Sequence, residues 1–541
     1  MLPLLLALAL GGPATDGAAP ARPSILWITA EDLSPWLGCY GDTTVPTPAI
    51  DALAARGTRY TQAHSSAPVC APARATLITG CAATRIGAMH MRTGTPSKAA
   101  LEADPEAYAG IPSYEATPAP EVRCFPELLR AAGYHCTNAS KTDYQFQAPP
   151  TVWDASRGGA HWRDRPDPEQ PFFAVFNIGV THESGTFLDR KRPQRVADPA
   201  AVPIPPYYPD TPVVREDLAR TYDNIARMDR RVGQLVAELA EAGLSETTWI
   251  FFFGDDGVGL PRGKRCLYGS GTRVTLVVVA PGGEPTVSER LVSFEDLAPT
   301  VLSIAGIEPP AWMDGRAFAG PHEAAPRELV YLHADRMDAC LDRTRGVFDG
   351  RHRLLRNDLP DRPRLYPVAY AEGVPTTGEL RRLAAEGGLP EAAWQLTSPT
   401  KPPLELYDTA VDPHEVDNLA GRPELAEVEQ RLLRALEEWT RATGDLGLLP
   451  EGEMVRTRLW PPDGEQPRTS APQLARDPDG PSALLCETEG ASIGYRLPGE
   501  SAWRVWSTAT RLEPGRTYEA VAHRIGFERS PVVTVEAPAG R

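Results

Sequence analysis

The sequence lacks an excess of positive charge. Its 541 residues include 55 Lys and Arg against 71 Asp and Glu, which gives a formal net charge of −16 at pH 7. A chain this acidic offers no general basic surface, so neither nucleic-acid binding nor stable association with an anionic membrane is expected. A polyanionic substrate fits such a chain only through a local basic pocket.

The sequence also lacks a hydrophobic run long enough to cross a bilayer. The apolar run at residues 2–10 is too short for a membrane span and resembles the core of a signal peptide. Small residues and prolines follow it, and Ala19-Pro20-Ala21 is a candidate cleavage triplet. We therefore predict a signal peptide over residues 1–21 and export, either to the periplasm or to the outside of a bacterial cell.

Paired cysteine motifs are missing as well. The eight cysteines are scattered and form no CxxC pattern, so a zinc site is not expected. Export would permit one or two disulfides, but the sequence does not define their pairing. The cysteines are Cys39, Cys70, Cys81, Cys124, Cys136, Cys266, Cys340 and Cys486.

Continuous apolar strands alternate with helices over residues 22–327, which is typical of a mainly parallel α/β sheet sandwiched by helices. A chain of 541 residues is also long enough for two or three domains. Residues 328–449 predict a smaller α+β subdomain, residues 450–481 a proline-rich linker, and residues 482–541 a small antiparallel β-sandwich. The predicted strands of the main sheet are 24–30, 58–63, 134–140, 171–178, 248–253 and 274–280, and the main helices are 48–56, 73–79, 125–132 and 215–242.

Charged or titratable side chains follow four of these strands, at the point where each strand ends. In open α/β sheets ligands bind at the carboxyl ends of the strands. One such residue alone is usually a solvated loop residue, but four strands together predict a site at this edge. The residues are Glu31 and Asp32, Lys141, His182, and Asp255 and Asp256.

The four carboxylates at this edge, Glu31, Asp32, Asp255 and Asp256, are hard oxygen ligands. Such ligands suit Ca²⁺, or Mg²⁺ with waters, better than zinc. Nearby cations would offset the carboxylate charge and bind an anion; they are Arg74, Lys141 and Lys264. His182 has the chemistry of a general acid or an oxyanion donor near neutral pH.

The segment Cys70-Ala71-Pro72-Ala73-Arg74 places a thiol and a guanidinium where a helix should begin. Proline suits the first turn of a helix, and Gly80 is a plausible stop. A helix start offers free backbone N–H groups, and arginine grips oxyanions with a planar fork. Cys70 is therefore either a nucleophile beside an anion cradle or a buried structural cysteine next to a surface arginine.

Taken with the charged strand ends, this segment resembles the type I sulfatases of the alkaline phosphatase superfamily. It matches their CxPxR signature, whose cysteine is converted to formylglycine by a formylglycine-generating enzyme. The resemblance covers roughly residues 23–433. Further matching stretches are residues 22–27, 37–42, 47–54, 296–300, 406–408 and 412–415.

The resemblance implies a role for each site residue. Cys70 would become formylglycine, whose hydrated aldehyde attacks sulfur through one hydroxyl and later expels sulfate. Arg74 would anchor the formylglycine, and His182 would assist near the leaving group. Lys141 and Lys264 would hold the sulfate oxygens. The four carboxylates would bind Ca²⁺, or alternatively Mg²⁺.

Four positions depart from the family pattern. Ala73 replaces a serine of the signature, and this bears on conversion of Cys70. Glu31 replaces an aspartate, and Asp256 replaces an asparagine or histidine. Asp143 replaces the histidine of a Lys-x-His pair, and is either a substrate contact or a loop carboxylate. A phosphomonoester or phosphonate hydrolase of the same superfamily, or a non-catalytic glycan-binding relative, are the alternative functions.

Three stretches, residues 28–35, 141–144 and 181–184, most resemble the bacterial heparan N-sulfatase (sulfamidase)-like group. This likeness implies a sulfated glycan substrate, cleaved at a sulfate ester or a sulfamate. His90 and Arg92 follow the signature helix and are either substrate-pocket residues or ordinary loop residues. The last module resembles fibronectin-III-like β modules, in which Trp503, Trp506 and Tyr518 are expected in the core rather than on a sugar-binding surface.

Overall fold

The computed structural model describes residues 22–93, 102, 111–338, 340–461, 464–475, 482–507 and 509–538. The predicted signal peptide, residues 1–21, lies outside the described residues. Among the residues described, no helix combines the length and the apolar character that crossing a membrane requires.

An eight-stranded sheet forms the centre of the main domain. Its strands run in the spatial order β4-β3-β5-β1-β6-β7-β2-β8, and β7 is antiparallel to its neighbours β6 and β2. The other neighbouring pairs are parallel, which confirms the predicted mainly parallel α/β sheet. The strands are β1 Ser24–Ala30, β2 Thr58–His64, β3 His135–Ala139, β4 Ala155–Ser156, β5 Phe172–Ile178, β6 Thr248–Gly254, β7 Arg273–Val279 and β8 Thr286–Ser293.

Helices cover both faces of this sheet. Alternate residues of β1 enter two cores: Ile25 and Trp27 pack on one face, and Leu26 and Ile28 on the other. This two-sided burial explains why β1 and β6 are apolar throughout. The helices of the domain are α1 Pro48–Ala54, α2 Cys70–Thr79, α3 Ala83–Ile86, α4 Phe125–Ala131, α5 Pro212–Glu241, α6 Gly269–Thr272 and α7 Leu297–Ile304.

A smaller α+β unit follows the main domain, as predicted. Its antiparallel sheet runs in the order β12-β11-β10-β9, and the 18-residue helix α11 packs on it through Leu432 and Leu436. The strands are β9 Val330–Ala334, β10 Thr344–Phe348, β11 His352–Asn357 and β12 Leu404–Asp408. The helices are α8 Ala369–Glu372, α9 Pro375–Glu386, α10 Glu391–Thr397 and α11 Ala426–Thr443.

The prediction of a linker over residues 450–481 is wrong for the part of it that the structure describes. Helix α12, Glu451–Met454, and the turn Val455–Leu459 pack against the main domain in a cluster with Met89 and Tyr114. Strand β13, Gln473–Ala475, pairs with β14, Ala483–Leu485. The prediction failed because the segment is polar and proline-rich, while its few apolar residues bury against partners about 340 to 370 residues earlier in the chain.

The last residues form a second antiparallel sheet, in the order β16-β15-β17-β18. Trp503 and Tyr518 are buried, which confirms their predicted place in a core. The module also touches the main domain, since Arg130 of α4 donates a hydrogen bond to the Trp503 carbonyl at 2.6 Å. Its strands are β15 Ser492–Arg496, β16 Arg504–Val505, β17 Thr517–His523 and β18 Val533–Glu536. Among the described residues, Cys39, Cys70, Cys81, Cys124, Cys136, Cys266 and Cys486 form no disulfide.

Glu451 provides a test of how firmly α12 belongs to the folded body. Its buried carboxylate receives two bonds from Arg336, at 2.6 and 2.7 Å, and one from the Tyr114 hydroxyl at 2.9 Å. Glu451→Ala would remove the acidic partner of a buried ion pair, so we expect a loss of about 3–5 kcal/mol in the free energy of unfolding by urea. Glu386→Ala removes an exposed partner of Arg382 and should cost less than about 1 kcal/mol. Equal effects of the two variants would contradict the assignment.

Candidate active site

The carboxyl ends of β1, β3, β5 and β6 bring the predicted residues to one edge of the sheet. The backbone hydrogen bonds of the sheet continue past the ends of the strands. The Glu31 N–H donates to the Ile178 carbonyl, and the Asp255 N–H donates to the Ala30 carbonyl. Ligand atoms of Glu31, Asp32, Cys70 and His182 lie within 4.8 Å of one another, as do those of Cys70, Asp255 and Asp256. The structure therefore assembles these residues around the start of α2.

Helix α2 begins at Cys70 and ends at Gly80, which has the left-handed conformation predicted for a stop, with φ of 70°. The residue before it, Val69, is extended and provides no side-chain cap. The buried Sγ of Cys70 lies 3.2 Å from Nζ of Lys264. Burial raises the pKa of the Cys70 thiol although Lys264 opposes the change, so the unmodified thiol is protonated and a poor nucleophile.

Arg74 is buried, so the alternative of a surface arginine is wrong. Its Nε and Nη2 donate to Oδ2 of Asp255 at 3.0 and 2.8 Å, and its Nη1 donates to Asn177 at 2.7 Å. Burial would raise the pKa of Asp255, but Arg74, Lys141 and Lys264 outweigh it and hold that pKa below the usual range. Arg74 therefore orients an ionised Asp255 within the site.

Lys264 and the Glu183 backbone hold the carboxylate of Asp32, whose own backbone is strained, with a φ of 51°. Its Oδ1 receives a bond from Lys264 at 2.7 Å, and its Oδ2 receives one from the Glu183 N–H at 2.7 Å. A Cβ on Gly259 would lie 2.6 Å from Oδ2 of Asp32, so only glycine fits beside this carboxylate. The surrounding structure thus fixes the direction of the Asp32 side chain.

Asp256 provides the clearest indication of a metal. Both of its carboxylate oxygens are buried and have no hydrogen-bond partner among the described residues. Burial, together with the neighbouring charges of Asp32 and Asp255, raises its pKa well above the usual range. A hard divalent cation would satisfy both oxygens and keep the carboxylate ionised, so the donor set fits Ca²⁺ or Mg²⁺.

Lys141 and His182 face Glu31 across the site. The Lys141 ammonium lies 2.7 Å from Oε2 of Glu31 and 3.7 Å from Oδ2 of Asp143. Nε2 of His182 lies 4.0 Å from the same Glu31 oxygen. The Ser184 N–H donates to Nδ1 of His182 at 3.3 Å, so in the neutral ring the proton is on Nε2, directed into the site.

A second set of residues, which the sequence did not predict, supports the predicted site residues. Glu183 binds Arg265 through two hydrogen bonds, at 2.7 and 2.8 Å, and lies 3.7 Å from Lys264. Burial would raise the pKa of Glu183, but Arg265 and Lys264 lower it to about 2. Asn177 and Asn138 continue this support behind Arg74. The Glu183–Arg265 pair and the Asn177–Asn138 pair lie next to predicted motifs, but each pair joins residues that are far apart in the sequence.

The structure places His90 and Arg92, the two residues predicted after the signature helix, in different surroundings. His90 is buried: its Nδ1 accepts the N–H of Arg336 at 3.3 Å, and Glu451 lies 3.9 Å from its Nε2. The prediction of His90 as a substrate-pocket residue is therefore wrong, because its ring belongs to the cluster that anchors α12. Arg92 remains a candidate, since 56% of its side chain is exposed and it pairs with Asp338 at 2.7 Å.

An exposed aromatic side chain that sequence analysis did not identify lies beside Arg92. The ring of Tyr370, on α8, is 41% exposed and lies 5.8 Å from the Arg92 guanidinium and 5.8 Å from the His182 ring. Arg92, Tyr370 and Asp143 thus surround the mouth of the site, and we call them the rim residues. The rim can contact a sugar face and an anionic group at the same time.

Comparisons with known proteins agree with this geometry. A family model described as Sulfatase matches residues 23–164 and 159–307. The chain is 39% identical to an ulvan-active sulfatase of Formosa agariphila, over 97% of this chain and 93% of that protein. It is 27% identical to the N-sulphoglucosamine sulphohydrolase of Homo sapiens, over 82% of this chain and 95% of that protein. Its fold is similar to that of a protein solved in complex with its substrate D-glucosamine-2-N,6-O-disulfate, with a TM-score of 0.56 and 16% identity over 78% of this chain and 98% of that chain. The chain therefore belongs to the sulfatase family.

Proposed function

We propose that this protein hydrolyses sulfate esters on a sulfated polysaccharide, with residue 70 as formylglycine and a divalent cation held by Glu31, Asp32, Asp255 and Asp256. The observation that carries the proposal is the partnerless Asp256 carboxylate beside the buried Cys70 and Lys264. The relative that is 39% identical is named for activity on ulvan, which favours a sulfate ester. A sulfamate is the second candidate, supported by the human relative named for N-sulphoglucosamine.

The charge of the site favours a sulfate ester over a phosphate ester. Its four carboxylates exceed its three cations, Arg74, Lys141 and Lys264, by one negative charge. A divalent cation would change this balance to one positive charge. A sulfate monoester carries a single negative charge at neutral pH and would neutralise the site, whereas a phosphate monoester is close to a dianion.

Each chain residue has a proposed role. A divalent cation supplies a Lewis acid to the sulfate oxygens, and formylglycine at position 70 supplies a hydroxyl instead of a protonated thiol. Lys264 contacts residue 70 and neutralises Asp32. Lys141, whose ammonium donates to Glu31, would hold a sulfate oxygen. His182 presents the proton on Nε2 to the leaving-group oxygen of the sugar.

The proposal includes maturation and location. A formylglycine-generating enzyme would convert Cys70, and the predicted signal peptide over residues 1–21 would direct export from a bacterial cell to the periplasm or beyond. Conversion of Cys70 and export are both consistent with a glycan substrate outside the cytoplasm. Ala73, which stands beside the signature proline, makes conversion the first point to measure.

The proposal predicts release of inorganic sulfate by the purified, metal-loaded protein. We expect an aldehyde in place of the Cys70 thiol by mass spectrometry of its peptide, and loss of activity in Cys70→Ala. Ulvan oligosaccharides, N-sulfoglucosamine and an aryl phosphate are assayed side by side to separate sulfate ester, sulfamate and phosphate hydrolysis. An unmodified thiol with no turnover, after expression in a host that converts this signature, would leave a glycan-binding protein instead.

Asp256→Asn tests the metal site through two opposite effects. We expect Ca²⁺ affinity, measured by titration calorimetry, to fall by about 10- to 100-fold because a charged ligand is lost. The metal-free variant should be at least as stable to urea as the wild type, because a buried, partnerless carboxylate is removed. Asp143→Asn removes the same charge from the rim and should change Ca²⁺ affinity less than about twofold. Unchanged affinity in Asp256→Asn would refute this ligand.

Substitution of a rim residue is expected to weaken substrate binding and leave turnover nearly unchanged. Tyr370→Ala should raise KM for a sulfated polysaccharide about tenfold, the equivalent of about 1.4 kcal/mol, with kcat nearly unchanged. Tyr370→Phe keeps the ring and should resemble the wild type. A small aryl sulfate has no sugar chain to contact the rim, so its KM should change less than that of the polysaccharide in all variants. A fall in kcat for both substrates would place Tyr370 in the reaction instead.

A further inference from the structure

The structure contains a cavity of about 170 Å³ between the main sheet and the smaller α+β unit. Its lining includes Gln62 and His64 of β2, Arg273 of β7, and Phe348, Arg353 and Glu415 from the α+β unit. None of the site residues described above lines it. The volume is well above the 10–15 Å³ that a single water needs by the same kind of measure, so a ligand of several atoms fits.

His64 is the first sign that this cavity binds something polar. The residue is 1% exposed, and neither ring nitrogen has a hydrogen-bond partner within the described ranges. Its ring packs 4.9 Å from the Phe348 ring, which fixes its orientation. A buried imidazole without a partner is destabilising, and a polar ligand in the cavity would remove that penalty.

The charge of the lining is the second sign. Arg273 donates from Nε to the Thr61 carbonyl at 3.0 Å, and within the described structure no carboxylate pairs with its guanidinium. Arg353 pairs with Glu415 through Nε and bonds Leu267 and Thr272 through Nη1. The second Glu415 oxygen accepts the Gly269 N–H. Two guanidinium groups therefore face one carboxylate, and the cavity carries a net positive charge.

The lowered pKa of Arg273 agrees with the net positive charge of the cavity. Burial, followed by repulsion from Arg353 and Arg59, lowers it below the usual range, while Tyr40 opposes the change. Burial, followed by repulsion from Arg353 and Arg273, also lowers the pKa of His64, so its ring is neutral and offers one N–H donor. The cavity thus combines two guanidinium groups with a neutral imidazole donor.

We propose that this cavity is an oxyanion-binding site, distinct from the candidate active site, that holds a sulfate or a group of the same tetrahedral chemistry through Arg273, Arg353 and His64. Guanidinium groups bind such oxygens in pairs, and the anion would balance the unpaired charge of Arg273. The oxyanion is either free inorganic sulfate or a sulfate group on a glycan chain. The site does not depend on the proposed reaction.

The first experiment locates the anion directly. Crystals of the wild-type protein are soaked in sodium selenate, and anomalous scattering from selenium marks bound oxyanions. We expect a selenium peak in the cavity, within hydrogen-bond distance of Arg273 and His64, separate from any peak near Lys264. Absence of the cavity peak at a selenate concentration that fills the active site would overturn the proposal, and an adventitious ion only is the conclusion if the solution measurements below show no binding there.

The second experiment measures affinity in solution. Titration calorimetry with inorganic sulfate, at constant ionic strength set by chloride, should resolve a binding event that weakens at least about tenfold in Arg273→Met. Arg59→Met removes the same charge from the same strand as His64 without lining the cavity, and should weaken that event less than about twofold. Equal effects of the two variants would show nonspecific electrostatics. His64→Phe, which keeps a ring against Phe348, provides a second variant if Arg273→Met unfolds.

The third experiment separates the two sources of the oxyanion. A sulfated oligosaccharide free of inorganic sulfate is titrated into Cys70→Ala, so that no turnover occurs, with and without Arg273→Met. Binding of inorganic sulfate alone through Arg273 identifies a free-anion site. Binding of the oligosaccharide through Arg273 identifies a glycan subsite. If Arg273→Met changes neither, the proposal is wrong whether or not the protein is active.

Discussion

The ammonium group of Lys264 is the contact around which the site is organised. It joins Asp32 to Cys70 and approaches Glu183, and all of these groups are buried. Because a buried carboxylate is stable only beside a compensating charge, each acid of the site is placed by a cation or a backbone donor. Asp256 is the exception: its two oxygens have no hydrogen-bond partner among the described residues, and they mark where the proposed divalent cation would bind.

The parts of the chain outside the main sheet contribute to the site rather than standing apart from it. Arg336 binds Glu451 of α12 and also donates to the Met91 and Asp338 carbonyls, and Asp338 pairs with Arg92 at the rim. Tyr370 of α8 completes the rim. The smaller unit therefore shapes access to the candidate site, while the main sheet holds the carboxylates and cations of that site.

The sequence predicted six of the eight strands of the main sheet, and β1, β5 and β6 were recognisable because they are buried on both faces and form unbroken apolar runs. It missed the two-residue β4 and the edge strand β8, whose first half is largely exposed. It also predicted Glu31, Asp32, Lys141, His182 and Asp255, because the ends of parallel strands meet at one edge. It did not predict the burial of His90, the Glu183–Arg265 pair or the packing of α12. Each of these depends on a partner more than 80 residues away, for which spacing along the chain carries no signal.

Local pattern alone determined the fold class, the presence of a helix at the signature segment and the chemistry of the strand-end residues, since these depend on periodicity and on residue type. The tertiary structure decided which charges face each other. It paired Arg74 with Asp255 and buried His90 away from the site. Among the described residues, it also left Asp256 without a hydrogen-bond partner and Arg273 without a carboxylate partner beside His64. The physical reason is that burial and charge compensation are properties of three-dimensional neighbours, and distant segments supply most of those neighbours.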